Sequence, residues 1–242
     1  MWTVARFAPT GLFSLRPAQS TASGAQTLLV PTPFAVKMAL LDAAISGFGL
    51  ETGKLWWTSI RDVDVALALP DVLVINKTFI KIQRPTRVTK SNIDEIAEAK
   101  AAGVYPFGPT IAFREFVQFG GELGLGVQPR SSALDVPWNR LLVQINYLGK
   151  RGSFLQLQAP PHTMPQLDDM WTILTRPAEI FSINGTLQLL DDCGGGLTWS
   201  HIDVYDPKAI KLNNNERVLR HIVLPYQLTR SSRGFSLYER IT

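Results

Sequence analysis

The sequence predicts an α+β fold. Three observations carry this. Strand, helix, strand, strand, helix, strand signals follow in that order over residues 1–160. Two long segments have apolar faces broad enough to need a shared sheet. Residues 180–241 then hold a run of β-rich segments. The first six signals have the layout of a ferredoxin-like core, with an insertion between its second and third strands and a β-rich C-terminal extension.

Residues 1–8 read as the first strand. Gly11 to Gly24 is a Ser/Thr/Gly-rich loop carrying Arg16. A helix begins at Pro33, with Thr32 placed to cap it and proline suited to its first turn. Phe34, Met38, Leu41 and Ile45 share one face, and Gly47 is the expected stop. Val72 to Gln83, rich in β-branched residues, is the expected second strand, and Phe113 to Phe119 the third. The insertion, about Arg84 to Pro109, carries a short helix with a capping-box-like start at Ser91-Asn92-Ile93-Asp94 and an end near Gly103. After Gly120-Gly121 comes a short Leu123, Leu125, Val127 alternation. Asp135 and Pro137 open a second helix whose apolar face is Trp138, Leu141, Leu142, Ile145 and Leu148, ending at Gly149. Phe154, Leu155 and Leu157 give the fourth strand. Further strands are expected at Thr186–Leu190, His201–Tyr205, Val218–Leu224 and Phe235–Arg240. The expected organisation is a core over 1–160, with the insertion at about 84–109, and a β-rich region over 161–242 packed on it.

The 242 residues are 45% apolar and 18% charged, enough for a sizeable core and too poor in charge for long disorder. The net charge of +4 permits nucleic-acid binding without demanding it. A single cysteine, Cys193, excludes an intrachain disulfide and any paired-cysteine metal or redox site. The apolar N-terminal stretch is broken by Arg6 and lacks a signal-peptide h-region. No segment reaches the roughly 18 uninterrupted apolar residues of a membrane helix. A cytoplasmic protein is expected.

The most informative chemistry is a basic stretch. Lys77, Lys81, Arg84, Arg87 and Lys90 occur together with no acidic residue among them, and Phe79 is interleaved. Lys77, Phe79 and Lys81 share strand parity and so one face. A cation–aromatic–cation strip suits phosphates and a stacked base; the same spacing also fits a solvated strand edge leading into a charged loop. Lys150-Arg151 follows the second helix, where cations are mildly stabilising in any case. Arg230 and Arg233 flank a Ser-rich turn. Lys37 is the one cation on an apolar helix face, and snorkelling to the surface accounts for it. Arg16 and Arg114 stand alone in sequence. These thirteen residues are the candidate RNA contacts. His162, His201 and His221 lie away from the basic stretch, and no nucleophile elbow, phosphate loop or dinucleotide fingerprint is present. No catalytic residue, cofactor or metal is expected.

Taken in order, three motifs resemble a known family. Met1-Trp2-Thr3-Val4-Ala5-Arg6-Phe7 leads through a polar loop to Val30-Pro31-Thr32-Pro33-Phe34-Ala35-Val36-Lys37-Met38-Ala39-Leu40-Leu41. Phe113-Arg114-Glu115-Phe116-Val117 follows, then Tyr147-Leu148-Gly149-Lys150-Arg151-Gly152-Ser153. This series resembles the CRISPR-associated "Cas-five" family of the RAMP superfamily. The resemblance implies an RRM-like core, with the insertion as an arched thumb. It further implies a cytoplasmic antiviral-defence role in a Cascade ribonucleoprotein complex. There such a subunit holds the 5′ handle of the guide RNA (crRNA), packs on a backbone subunit and touches the large subunit, meeting target DNA only indirectly. The sharp glycine-rich C-terminal loop of RNA-cleaving members is missing here, which favours a structural role. The alternatives are a metal-independent guide-RNA endonuclease of the same superfamily and, further off, a protein scaffold with no nucleic acid.

Overall fold

The computed structural model describes residues 1–17, 26–104, 106–131, 134–176, 184–205, 208–212 and 214–241. In chain order the first half contains β1 (Trp2–Pro9), α1 (Pro33–Phe48), α2 (Leu50–Asp62), β2 (Asp64–Ala68), β3 (Val72–Pro85), α3 (Ile93–Ala101), β4 (Phe107–Phe119) and β5 (Leu123–Gln128). The second half contains α4 (Trp138–Val143), β6 (Leu155–Leu157), β7 (His162–Met164), β8 (Trp171–Ile173), β9 (Thr186–Cys193), α5 (Trp199–Ile202), β10 (Arg217–Leu224), β11 (Tyr226–Ser231) and β12 (Phe235–Arg240).

The central sheet runs β6-β1-β5-β2-β8, with β7 continuing β6's side of β1. Every pairing in it is antiparallel. Its first four strands have the order of a ferredoxin-like core, and the fold is α+β as expected. The core's second and third strands, however, are β2 and β5, not 72–83 and 113–119. Asp64-Val65-Ala66-Leu67-Ala68 is buried along its whole length. A strand buried on both faces shows no alternation to read.

Alternation divides the sheet's two faces. Ala5, Phe7, Val65, Leu67, Leu123, Leu125 and Val127 point into the main core, where α1 and α4 pack against each other. Trp2, Val4 and Ala66 point the other way, under Met164, Leu167, Trp171 and Ile173. Trp171 lies so close to β5 that a Cβ on Gly124 would meet its ring at 3.0 Å, so glycine there admits the indole.

Thr32 caps α1 as expected, its Oγ1 accepting from Ala35 N–H at 3.1 Å. The helix ends at Phe48, past Gly47, and Gly49 (φ 91°) turns the chain into α2, an element absent from the sequence reading. Helix α4 is shorter than expected. Its cap position is Pro137, not Asp135, and Gln144 ends it. Asn92 caps α3 without a side-chain cap bond; its Oδ1 takes Thr89 N–H instead. The strand expected over His201–Tyr205 does not form; His201 and Ile202 instead end the helical turn α5 (Trp199–Ile202). Thr198 caps it, and His201 fills the position a Glu holds in the usual capping box.

Strands β3 and β4 form a long hairpin, paired from Leu73–Phe119 out to Pro85–Phe107, with α3 at its tip. Its base is built into the core by Leu73, Ile75, Val117 and Phe119. Beyond them it becomes an exposed arm. Strand β12 pairs with β3, giving a second sheet ordered β11-β12-β3-β4. Tyr226 at the start of β11 is fully buried and donates its hydroxyl to Pro70 O. The β9–β10 ribbon packs beside α1. No helix is long and apolar enough to cross a membrane among the described residues.

Candidate nucleic-acid interface

Arg16, Arg114 and Lys150 lie on three separate segments, and the fold brings them together. Phe13 exchanges both backbone hydrogen bonds with Val117 of β4 (2.9 and 2.7 Å), which lays the loop after β1 along the arm's base. Leu28 N–H to Leu15 O (2.8 Å) and Thr27 N–H to the Glu115 carboxylate (3.0 Å) hold the returning strand of that loop. On the other side, the turn after α4 is closed by Ser153 N–H to Lys150 O at 3.1 Å, with Gly149 at φ 74°. Between them lies a cleft of about 290 Å³ lined by Ser14, Arg16, Gln26, Arg114, Gly149 and Lys150, with Leu15 at its edge.

Among the described residues the lining holds three cations and no carboxylate. The Nε of Arg114 is buried with no hydrogen-bond partner. A buried donor left unpaired costs about 1–3 kcal/mol, and more for a charged group. An anion entering the cleft would meet the side chains of Arg16, Arg114 and Lys150. Arg151 is exposed beside Lys150.

The arm carries the second part of the site. Directly paired residues share a face, so Lys77, Phe79 and Lys81 stand with Glu115, Phe113 and Ile111. Phe79 and Phe113 are 65% and 69% exposed and meet edge to face at 6.4 Å. The strip read from β3 is therefore half of a two-strand surface. Phe113 and Ile111 complete it, and their parity shows it once the register is known. Lys77 Nζ is 3.9 Å from Glu115 Oε1, a long and half-exposed pair. Arg84 projects from the opposite face by the same register. Arg87 and Lys90 are exposed in the turn before α3. The Arg230–Arg233 turn abuts the strip, because Gly234 O accepts the N–H of Lys77 at 2.8 Å. A hollow of about 280 Å³ lined in part by Gln26, Lys77 and Glu115 shares Gln26 with the cleft.

Lys37 does not belong to this surface. It is 2% exposed, with its Nζ 2.6 Å from Asp192 Oδ1. Snorkelling fails because β9 covers that face of α1 and supplies a carboxylate. Arg220 Nε donates to the same carboxylate at 2.7 Å, and Arg217 pairs with Asp191. The cation is thus committed to joining α1 to the β9–β10 ribbon.

No protein-family model matches the chain, and no curated protein matches it. Two solved structures cover its whole length. One is a CRISPR protein from Archaeoglobus fulgidus (14% identity, TM-score 0.42, 92% of that chain covered). The other is described as a CRISPR RNA-guided surveillance complex (12% identity, TM-score 0.44, 91% of that chain covered).

The histidines lie elsewhere. His162 is exposed in β7 and His221 in β10. His201 Nδ1 accepts Thr198 N–H at 3.1 Å and its Nε2 is 3.3 Å from Glu216 Oε1. None lines the cleft. Among the described residues no group of His, Cys, Asp and Glu is arranged to hold a metal.

Proposed function

We propose that this chain is a non-catalytic RNA-binding subunit of a CRISPR surveillance complex (Cascade) that grips the 5′ handle of the guide RNA. The convergence of Arg16, Arg114 and Lys150 on one cleft whose described lining holds no carboxylate carries this reading. Backbone phosphates of a single strand are the anions that such a cleft takes repeatedly and without regard to sequence. The arm's Lys77–Phe79–Lys81 face then offers charge to the next phosphates and aromatic edges to a base.

In this role base pairing of the guide supplies target specificity, and the protein contributes backbone and shape contacts. The exposed arm, read as a thumb, reaches the backbone subunit, and the large subunit packs nearby; target DNA is met only through them. The setting is cytoplasmic.

The test is RNA binding as a function of salt. Each phosphate lost lowers the single-strand log–log slope by roughly 0.7. The triple variant Arg16→Gln/Arg114→Gln/Lys150→Gln should therefore flatten the slope for cognate repeat RNA by about 2. An unchanged slope with unchanged affinity would reject the cleft as the RNA site.

A further inference from the structure

Next to the phosphate cleft is a second hollow, of about 260 Å³, that the phosphate-gripping role leaves unused. The two share Leu15, Arg16 and Gly149. The cleft is polar and cationic. The hollow adds an aromatic and thioether wall, Phe34, Met38 and Tyr147, to a lining that also holds Thr32, Asp191 and Arg217. Arg217 lies over the Phe34 ring at 4.7 Å, held there by its bonds to the Asp191 carboxylate. The guanidinium plane is thus already fixed against an aromatic face.

From this geometry we infer that the hollow holds one unstacked nucleobase of the RNA whose phosphate sits in the adjoining cleft. Four observations select that occupant. The volume lies below the roughly 300–1,000 Å³ of sites for drug-sized ligands, so it suits a single planar group. Its walls are aromatic and thioether groups, with a guanidinium in place; unstacked bases are held on such surfaces. The shared Arg16 and Gly149 put it beside the cleft, as a base lies beside its own phosphate. Asp191, buried and bridged to Arg217 through one oxygen, brings a carboxylate to the lining, and carboxylates accept from exocyclic amino groups such as cytosine N4. Adenine, cytosine and guanine are therefore favoured there over uracil. This inference rests on the RNA-binding role proposed above.

The test separates the two. A set of single-stranded RNAs of the cognate repeat, each abasic at one position, is titrated against the purified chain at fixed salt. Removing a base keeps its phosphate, so the cleft still engages. One position should lose affinity by roughly tenfold, the scale of a base–aromatic contact, and uracil at that position should rescue less than adenine or cytosine. Met38→Trp, which fills the hollow, should bind intact RNA about as weakly as wild type binds that abasic RNA, with an unchanged salt slope. Tyr147→Ala, which opens one wall, should give the same loss of discrimination if the tryptophan variant fails to fold. Equal binding of every abasic RNA would overturn the inference and leave the phosphate grip standing. No binding of any RNA would remove both.

Discussion

Lys37→Met isolates the most buried cation among the described residues. The substitution keeps the stem's volume and removes the ammonium. In the folded chain that ammonium is 2.6 Å from Asp192 Oδ1, with the two side chains 2% and 1% exposed. Stranding one partner of a buried ion pair costs about 3–5 kcal/mol. Here Arg220 Nε still reaches the other carboxylate oxygen at 2.7 Å, and Cys193 N–H still donates to Oδ1 at 2.8 Å, which places the loss near the lower bound, about 3 kcal/mol. A chain of this size loses roughly 2–4 °C per kcal/mol, so the melting temperature should fall by about 6–12 °C. The assay is thermal unfolding by circular dichroism, paired with RNA titration at a temperature where both proteins are folded. Adding Asp192→Asn should recover part of the loss, because the stranded charge goes and Arg220, a quarter exposed, can turn to water. A variant melting within about 2 °C of wild type, or one whose salt slope drops by a phosphate's worth, would refute the structural assignment of Lys37.

The arm is tested by neutralising Lys77, Lys81, Arg84 and Arg87 together, which should flatten the salt dependence of repeat-RNA binding by about 2–3; an unaltered slope assigns the strip to solvated surface. The chain should leave repeat RNA uncut with or without chelator, and cleavage abolished by His162→Ala, His201→Ala or His221→Ala would establish the endonuclease reading instead. Burial pushes the Asp64 carboxyl up, but hydrogen bonds from Arg130, Thr175 and Arg176 outweigh it and hold the group below the usual carboxylate range. Its contribution is fully present above the unfolded value of about 3.9 and is lost as pH falls through the lower folded value. Urea midpoints between about pH 6 and pH 3 should thus fall less steeply for Asp64→Asn than for wild type. Burial pushes the Cys193 thiol up to about 12, so a thiol reagent at neutral pH should label it only after denaturation; fast labelling of folded protein would contradict its place in the core.

What the sequence made legible was local. Thr32 and Pro33 announce α1, and Phe235–Arg240 reads as a strand because its neighbours supply alternation and a turn. Strand β2 was hidden by its complete burial, and the β-branched run beside it took its place in the expected topology. Helix α2 was hidden because Gly49 and Gly53 interrupt the pattern just beyond the expected stop at Gly47. In the fold Gly53 is where α2 crosses α1, and a Cβ there would come within 2.6 Å of Ile45 Cγ1. The arm's cationic face needed only parity. The cleft needed more, since Arg16, Arg114 and Lys150 become neighbours solely through the Phe13–Val117 bridge and the turn at Gly149, and neither is written in local pattern. Lys37 looked like a surface cation because its carboxylate is 155 positions away.

The place of β12 in the second sheet bears on the order in which the molecule can assemble. It lies between β11 and β3, so the platform that roots the arm closes only after residue 240 has left the ribosome. Strand β1 likewise waits for β5 to cover one side and for β6 and β7 to cover the other. Throughout that interval β3 offers a bare edge, with Leu73 and Ile75 still without their final cover, and such edges pair with whatever strand arrives. Vectorial synthesis therefore exposes the root of the arm longest to a wrong neighbour, and completion of the β3–β12 pairing is the event that closes that edge.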